Sequence, residues 1–156
     1  AIPGGITQTD SLGRLHNVVR SGDDAVYRIS TDGGRSWSDD LVLPGIRPGD
    51  MKANAGVGVA AVSGVDGTQD VLYKLDISTD VPTLTQRFDI GLGDDCRCSG
   101  IGFYCVPGGH RFDFHTVVIL PDGRLAVSFM DSTTITSFPT LDLPVVAPAL
   151  AVELPE

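Results

Sequence analysis

The most informative segment of the chain reads Tyr27-Arg28-Ile29-Ser30-Thr31-Asp32-Gly33-Gly34-Arg35-Ser36-Trp37-Ser38. Its first residues favour a strand, and its polar residues favour a tight turn. Ser30 and Asp32 carry side chains that hydrogen-bond to nearby backbone and so fix turns. Gly33 and Gly34 adopt positive φ without steric cost. Trp37, the only tryptophan, can fold back over the turn and bury its ring. The segment therefore predicts a strand that runs into a rigid turn.

These residues resemble the Asp-box, or BNR repeat, of sialidases and related β-propellers, which has the pattern Ser-x-Asp-x-Gly-x-x-Trp. Ser30, Asp32, Gly34 and Trp37 occupy all of its defining positions. In that family the box is structural. The resemblance therefore implies a propeller architecture and a structural role for these four residues, and it does not mark an active site.

The composition also favours an all-β fold. The chain has 156 residues, 42% of them apolar, which is enough for one domain with a core. It contains 19 Gly, 10 Pro and 18 Asp, but only 2 Glu and 2 Lys. Glu and Lys favour helices, whereas Asp, Gly and Pro favour turns. No stretch of a dozen residues shows a 3.6-residue apolar period, so we expect almost no helix.

The charge and hydropathy patterns exclude several classes of partner. A formal net charge of -9 argues against nucleic acid, because a phosphate-binding face needs clustered Lys and Arg. No apolar run reaches the ~20 residues that a membrane span needs. No cofactor is expected, although Asp-rich loops offer oxygen ligands for Ca²⁺ without EF-hand spacing. The chain opens on Ala1 and not on Met, which indicates a processed chain that is secreted or extracellular.

The segment around the box recurs in looser form. Residues 18–32 run as a strand, a Ser-Gly-Asp turn, a strand with Tyr and a basic residue, and Ser-Thr-Asp, and residues 61–80 repeat this order. A third copy over residues 116–133 contains a Pro-Asp-Gly turn between apolar alternations, which is a strong hairpin signal. Only the first copy keeps the full box.

The spacing of the copies predicts blades. Tyr27 and Tyr73 are 46 residues apart, and Tyr73 and Phe129 are 56 residues apart. Periods of about 40–50 residues with several strands each are typical of propeller blades. We therefore predict a single all-β domain over 1–156 with about three sialidase-like blades. The blades span approximately residues 1–48, 49–95 and 108–156. A Gly- and Cys-rich insertion covers residues 91–110, and a proline-containing tail covers residues 141–156.

Three blades do not close a ring, because a sialidase-like propeller has six. An open half would leave two bare sheet edges and an apolar flank. Either the chain is part of a longer product, or a second copy or a second chain completes the ring, and a symmetric dimer is the simplest closed solution. Because proline confines a strand to an edge, the tail is predicted to be an edge strand or an arm onto a neighbour.

The N-terminal region is similar to the opening of a sialidase. Ile2-Pro3 and then Asp10–Leu15 match the family's Arg-Ile-Pro and Asp-Gly-x-Leu, but Ala1 stands where the family has a carboxylate-binding arginine. The family's Tyr–Glu nucleophile pair has no counterpart, because Glu153 and Glu156 are the only glutamates. No catalytic residue is therefore assigned.

The candidate binding residues are Arg28, Asp131 and His115. Arg28 and Lys74 follow the repeated Tyr, which also favours a structural role such as pairing with an Asp of the next blade. Asp131 ends a strand of the third repeat, where propellers often place pocket residues, although a turn cap fits equally. His115 lies in an apolar strand, where a histidine on a sheet face is the common alternative.

A Cys- and His-rich cluster lies in the insertion. Cys96, Cys98, Cys105 and His110 are candidate zinc or copper ligands, although Cys-x-Cys replaces the usual Cys-x-x-Cys. The alternative is one disulfide that joins Cys105 to Cys96 or Cys98, which an extracellular chain favours. The odd number of cysteines leaves free or intermolecular thiols as a third alternative.

The sequence therefore favours a secreted, sialidase-like module that is directed at glycans or cell-surface material and that binds or scaffolds. One alternative is a fragment of a sialidase-like glycoside hydrolase that another chain completes. A further alternative is an assembly subunit that joins copies through open sheet edges and the C-terminal tail.

Overall fold

A computed structural model of the chain describes residues 4–67, 69–89, 97–98, 105–106, 116–137 and 144–153. Over those residues the chain forms β-strands and no helix, which confirms the predicted all-β class. None of the described residues form a helix that could cross a membrane.

Sheet one contains four antiparallel strands in their order along the chain. They are β1 (Ile6–Thr9), β2 (Leu15–Ser21), β3 (Asp24–Ser30) and β4 (Leu41–Leu43). In the β2–β3 pairing Val18 lies opposite Tyr27, and in the β3–β4 pairing Tyr27 lies opposite Leu41. Since side chains alternate between the two faces of a strand, these three residues share the face that is buried.

Sheet two repeats this four-stranded meander. Its strands are β5 (Arg47–Asn54), β6 (Val59–Asp66), β7 (Gln69–Asp76) and β8 (Thr83–Asp89). The β5–β6 pairing shifts register between Pro48 and Asp50, and the β7–β8 pairing shifts between Lys74 and Leu75. The sheet begins at Arg47, slightly before the start that the repeat spacing predicts for the second blade.

The rest of the described chain forms a short ribbon and sheet three. The ribbon pairs β9 (Arg97–Cys98) with β10 (Cys105–Val106), and sheet three orders β11 (Thr116–Ile119), β12 (Leu125–Ser137) and β13 (Pro144–Val152). Among the described strands β13 pairs only with β12, so the proline-containing tail supplies an edge strand.

The first hairpin of each sheet turns on a glycine at the same place. Gly13, Gly58 and Gly123 have φ of 79°, 66° and 83°, in the left-handed region that L side chains rarely adopt. Each donates its backbone N–H to the carbonyl three residues earlier. The first hairpins of the three sheets thus share the same glycine-containing turn, although their sequences differ.

Two apolar cores hold the sheets together. One lies between sheets one and two, and the other between sheets two and three. The larger core includes the repeated tyrosines Tyr27 and Tyr73, both almost completely buried. The smaller one contains Ala61, Leu72, Val117 and Leu125. Burying a side chain of this size from water stabilises the fold by about 1.5–3 kcal/mol.

The sheets stand side by side in the order one, two, three. Strand β1 lies beside β5, and β5 lies beside β11, so the first strand of each sheet lies next to that of its neighbour. The described strands form no closed barrel. The arrangement is that of an incomplete β-propeller-like fold.

Candidate functional site

The Asp-box turn is fixed by two side chains that accept most of its backbone N–H groups. Ser30 Oγ accepts the N–H of Gly34 at 2.8 Å and donates to Asp32 Oδ1 at 2.9 Å. Asp32 Oδ1 accepts the N–H groups of Arg35 and Ser36, both at 2.9 Å, and Oδ2 accepts the Ser36 hydroxyl at 2.6 Å. The hydrogen bonds from Ser36, first its hydroxyl, hold the pKa of Asp32 far below its usual range.

The backbone conformation of the Asp-box turn favours glycine at two positions. The tryptophan of the box, Trp37, is only half-buried. Gly33 and Gly34 have φ of 73° and 86°. After the turn, Ser38 donates its N–H to the carbonyl of Ile29 at 2.8 Å, which draws the chain back against the end of β3. Trp37 borders a shallow groove that also involves Val81 of the β7–β8 turn, so its ring lies at the junction of sheets one and two.

Replacing Asp32 with alanine should lower the thermal unfolding midpoint of the chain, because the turn loses the four hydrogen bonds that this carboxylate accepts. Thermal unfolding followed by circular dichroism measures the shift. Asp39→Ala is the matched control, since its carboxylate accepts no hydrogen bond from the described residues. Equal midpoints for the two variants would show that the carboxylate does not hold the turn.

A buried polar chain lies at the same end of sheet one as the box. His16 Nε2 and Asp10 Oδ2 are 2.9 Å apart, and His16 Nδ1 and the Tyr27 hydroxyl are 2.6 Å apart. Because an ionised carboxylate only accepts hydrogen bonds, Nε2 of a neutral His16 carries the proton and Nδ1 accepts from Tyr27. The side chains of Asp10 and His16 are completely buried, so these bonds are shielded from water.

Arg14 extends this chain to sheet two. Its Nε donates to Asp10 Oδ2 at 2.8 Å, and its Nη1 donates to the carbonyls of Ile77 at 3.0 Å and Thr79 at 3.2 Å. The same nitrogen lies 3.3 Å from Asp80 Oδ1. Arg14 therefore joins the first turn of sheet one to the β7–β8 turn of sheet two.

The buried chain has the order Asp–His–Tyr, which catalytic sites also use, but its environment gives it a structural role. Burial raises the pKa of Asp10, but hydrogen bonds from His16 and Arg14 outweigh it and lower the pKa to about 2. Burial lowers the pKa of His16 and raises the pKa of Tyr27 well above its usual range. The Tyr27 side chain is not solvent-accessible, so no substrate reaches its hydroxyl.

An open polar cleft lies at the opposite end of sheets one and two. It has a volume of about 440 Å³ and is lined by Arg20, Asp23, Gly45, Arg47, Val65, Asp66 and Gly67. These residues come from the β2–β3 tip, the β4–β5 connection and the β6–β7 tip. We call it the hairpin cleft. Its volume is within the roughly 300–1,000 Å³ of small-molecule sites.

The charges of the hairpin cleft favour an anion. Asp66, one of the two acids of the lining, forms a salt bridge with Arg87 at 2.9 Å, and Arg87 also pairs with Asp89 at 2.8 Å. Arg20 Nε donates to the carbonyl of Gly22 at 2.9 Å, which orients its guanidinium. Neither Arg20 nor Arg47 forms a salt bridge with any carboxylate in the described part of the chain. The lining thus carries two arginines without a salt bridge, beside Asp23 and an Asp66 that is engaged by Arg87, in a chain whose net charge is -9.

The wall beside the cleft is rigid. Arg87 also donates to the Tyr73 hydroxyl at 3.2 Å, and its guanidinium carbon lies 5.7 Å from the centre of the Tyr73 ring. The Tyr73 hydroxyl donates to the carbonyl of Pro44 at 2.6 Å, which ties the β4–β5 connection to sheet two. The connection that leads to Arg47 is therefore tied to sheet two through Tyr73.

The basic residues that follow the repeated tyrosines form salt bridges and do not face the cleft. Arg28 pairs with Asp40 of its own sheet, with Nε 2.6 Å from Oδ1. Lys74 pairs with Glu153 of sheet three at 2.8 Å, and Glu153 Oε2 accepts the N–H of Leu125. Lys74 thus pairs with a glutamate at the end of sheet three, whereas an Asp of the next blade was expected for both basic residues, and Arg28 pairs with the β3–β4 connection instead.

Of the other candidate residues, the structure describes Cys98, Cys105 and Asp131, which belong to strands β9, β10 and β12. Asp131 lies on β12 opposite Ala147, at the point where the β12–β13 register shifts. Cys98 and Cys105 lie opposite each other on the β9–β10 ribbon. Among the residues that were placed, no cluster of three or more His, Cys, Asp or Glu side chains is arranged to hold a metal ion. His115, His110 and Cys96 lie outside the described residues.

The residues of the hairpin cleft were not predicted from the sequence, although two features of the sequence could have indicated them. Arg20 directly precedes the Ser-Gly-Asp turn of the first repeat, and Arg47 directly precedes Pro48 after a Pro-Gly turn. Arginines that flank turns at the same end of neighbouring repeats are brought together by the meander.

No known protein-family model matches the chain, and no curated protein sequence is significantly similar to it.

Proposed function

We propose that the chain is a secreted, sialidase-like propeller module that binds glycans or other cell-surface material, and that the hairpin cleft receives an anionic group of that ligand. The observation that carries the proposal is the pair Arg20 and Arg47, which both line the cleft. A guanidinium binds a carboxylate through two parallel hydrogen bonds. Because the chain as a whole carries a net charge of -9, its surface repels anions in general. An anion would therefore bind through the local attraction of these two arginines.

Binding is favoured over hydrolysis by the groups that the cleft offers. Retaining glycosidases need two catalytic groups about 5–5.5 Å apart, one of them able to donate a proton. Asp66 is held in a salt bridge, and Glu153 pairs with Lys74 between sheets two and three. The Tyr27 hydroxyl is buried within the core between sheets one and two. The cleft therefore offers arginines that can anchor an acidic sugar, while Asp66, Glu153 and Tyr27 are engaged elsewhere.

Replacing Arg20 and Arg47 together with alanine should weaken binding of a sialylated trisaccharide by at least about 10-fold, because each charged hydrogen bond contributes roughly 1.5–3 kcal/mol. Isothermal titration calorimetry with sialyllactose, and with neutral lactose for comparison, measures the change. Arg35→Ala is the control for the loss of an arginine away from the cleft, since it removes one positive charge at the Asp-box turn, beyond the far end of β3. Equal affinity for both sugars, or an unchanged affinity in the double variant, would overturn the proposal.

Assembly is the second candidate function, and the outer face of sheet one favours it. Side chains on β3 that alternate with the core residues Ala25 and Tyr27 point away from sheet two. Val26 on that face is buried, and its β4 neighbour Val42 is 48% exposed. An open row of three sheets ends there, so a second copy can extend it toward a ring.

If two copies close a ring, the native particle should have twice the 16.4 kDa mass of one chain. Native mass spectrometry over a range of concentrations measures it. Val42→Asp should then return the particle to a single chain, because a charge is placed on the apolar face. Leu12→Asp, at a turn residue that is 72% exposed, is the control. A single-chain particle at high concentration would exclude assembly as the function.

A further inference from the structure

The β9–β10 ribbon places two of the three cysteines directly opposite each other. In its antiparallel pairing Cys98 is the register partner of Cys105, and Arg97 is the partner of Val106. Residues that lie directly opposite in antiparallel strands have Cα atoms about 4.5–5.5 Å apart. Disulfides join Cα atoms about 4.4–6.8 Å apart. The backbone of the ribbon therefore brings this pair within bonding range.

We propose that Cys98 and Cys105 form an intramolecular disulfide that closes the ribbon, and that Cys96 keeps a free thiol. The register distinguishes the pairs that the sequence leaves open, because Cys98 and not Cys96 is the residue opposite Cys105. This modification is independent of the hairpin cleft and of any glycan ligand. Strand β10 also lies beside β13, so the bond braces a ribbon that contacts the edge strand of sheet three.

The oxidation is a thiol–disulfide exchange with a small disulfide such as oxidised glutathione. One cysteine thiolate attacks a sulfur of glutathione disulfide and expels one glutathione thiolate. The second cysteine thiolate then attacks the mixed disulfide, so the S–S bond of the protein forms and a second glutathione leaves. Two protons pass from the cysteines to the two glutathione thiolates. The protein loses two electrons, and glutathione disulfide gains them.

Tryptic mapping separates the three pairings, because Arg97 lies between Cys96 and Cys98. The full chain is equilibrated with oxidised and reduced glutathione, its free thiols are blocked with N-ethylmaleimide at mildly acidic pH, and it is digested with trypsin. Cleavage after Arg87, Arg97 and Arg111 gives one peptide with Cys96 and another with both Cys98 and Cys105.

The proposal predicts that peptide 98–111 is unlabelled and lighter by two hydrogen atoms than its reduced form, whereas peptide 88–97 carries one label. A cross-link between these two peptides would overturn it, since Cys96 would then be paired. Labelling of all three cysteines in the oxidised protein would overturn it as well. So would a disulfide that joins two chains through Cys98 or Cys105.

Serine variants provide a second readout in the same redox buffer. Cys96→Ser should keep the closed form of peptide 98–111, and its thermal midpoint should fall when dithiothreitol is added. Cys98→Ser should show no such dependence on the reductant. A thermal midpoint that responds to dithiothreitol in Cys98→Ser and not in Cys96→Ser would contradict the assigned pair.

Discussion

Replacing Asp10 with alanine should destabilise the folded chain by about 3–5 kcal/mol, the usual cost of removing one partner of a buried ion pair. The carboxylate accepts the side-chain N–H groups of Arg14 and His16 and the backbone N–H groups of Leu12 and Arg14. The Arg14 side chain is only 8% exposed, so its charge would remain buried without its main partner. Urea unfolding of the full chain measures the loss.

Asp40→Ala is the matched control for this prediction. Asp40 also pairs with an arginine of sheet one, but it is half exposed, and such surface pairs contribute about 0–1 kcal/mol. A loss for Asp10→Ala as small as that for Asp40→Ala would mean that water replaces the carboxylate. The Asp–His–Tyr chain would then be dispensable for joining the first turn of sheet one to sheet two.

Local sequence signals were sufficient to predict the Asp-box turn and the β2–β3 hairpin of sheet one. Ser30, Asp32 and the two glycines that follow act within a few residues of each other, so the pattern of residue types determines the turn. The alternation of apolar residues on either side of Ser21-Gly22-Asp23 likewise indicated the β2–β3 hairpin, which the structure contains. Interactions of short sequence separation are those that a single sequence reveals.

The buried polar chain depends on strand register and sheet packing, which local sequence patterns do not reveal. His16 meets Tyr27 because the β2–β3 register places Val18 opposite Tyr27, and His16 is its diagonal neighbour. A shift of one residue would place His16 on the other face. Arg14 finds acceptors more than 60 residues along the chain, which only the packing of sheet one on sheet two brings near.

The same reason explains why the hairpin cleft was not predicted. Arg20 and Arg47 belong to different sheets, and neither lies in a recognisable motif. Arg87 of β8 pairs with Asp89 of its own strand and with Asp66 of β6, and the second pair depends on the registers of β6 and β8 on β7. Which charges remain uncompensated is a property of the packed sheets, and the residue list alone does not give it.

Replacing Gly64 with alanine should destabilise the chain by roughly 3 kcal/mol, at the upper end of the usual cost of overpacking. Gly64 lies on β6 opposite Pro48, beside the register shift of the β5–β6 pairing. A Cβ atom built there would overlap the backbone carbonyl of Arg47, a neighbour that cannot rotate away as a side chain does. The start of β5 would have to move, and with it the guanidinium of Arg47.

This displacement links stability to binding, because Arg47 lines the hairpin cleft. Gly64→Ala should therefore also weaken binding of sialyllactose under conditions in which the variant is still folded. Gly49→Ala is the matched control in the same bulge, since its Cβ would meet only the Ser63 carbonyl at 3.7 Å and Gly64 Cα at 4.0 Å. Urea unfolding and calorimetric titration of the two variants separate the effects. Gly64→Ala with the stability and affinity of Gly49→Ala would show that the β5–β6 bulge yields freely. In that case the bulge does not fix the position of Arg47.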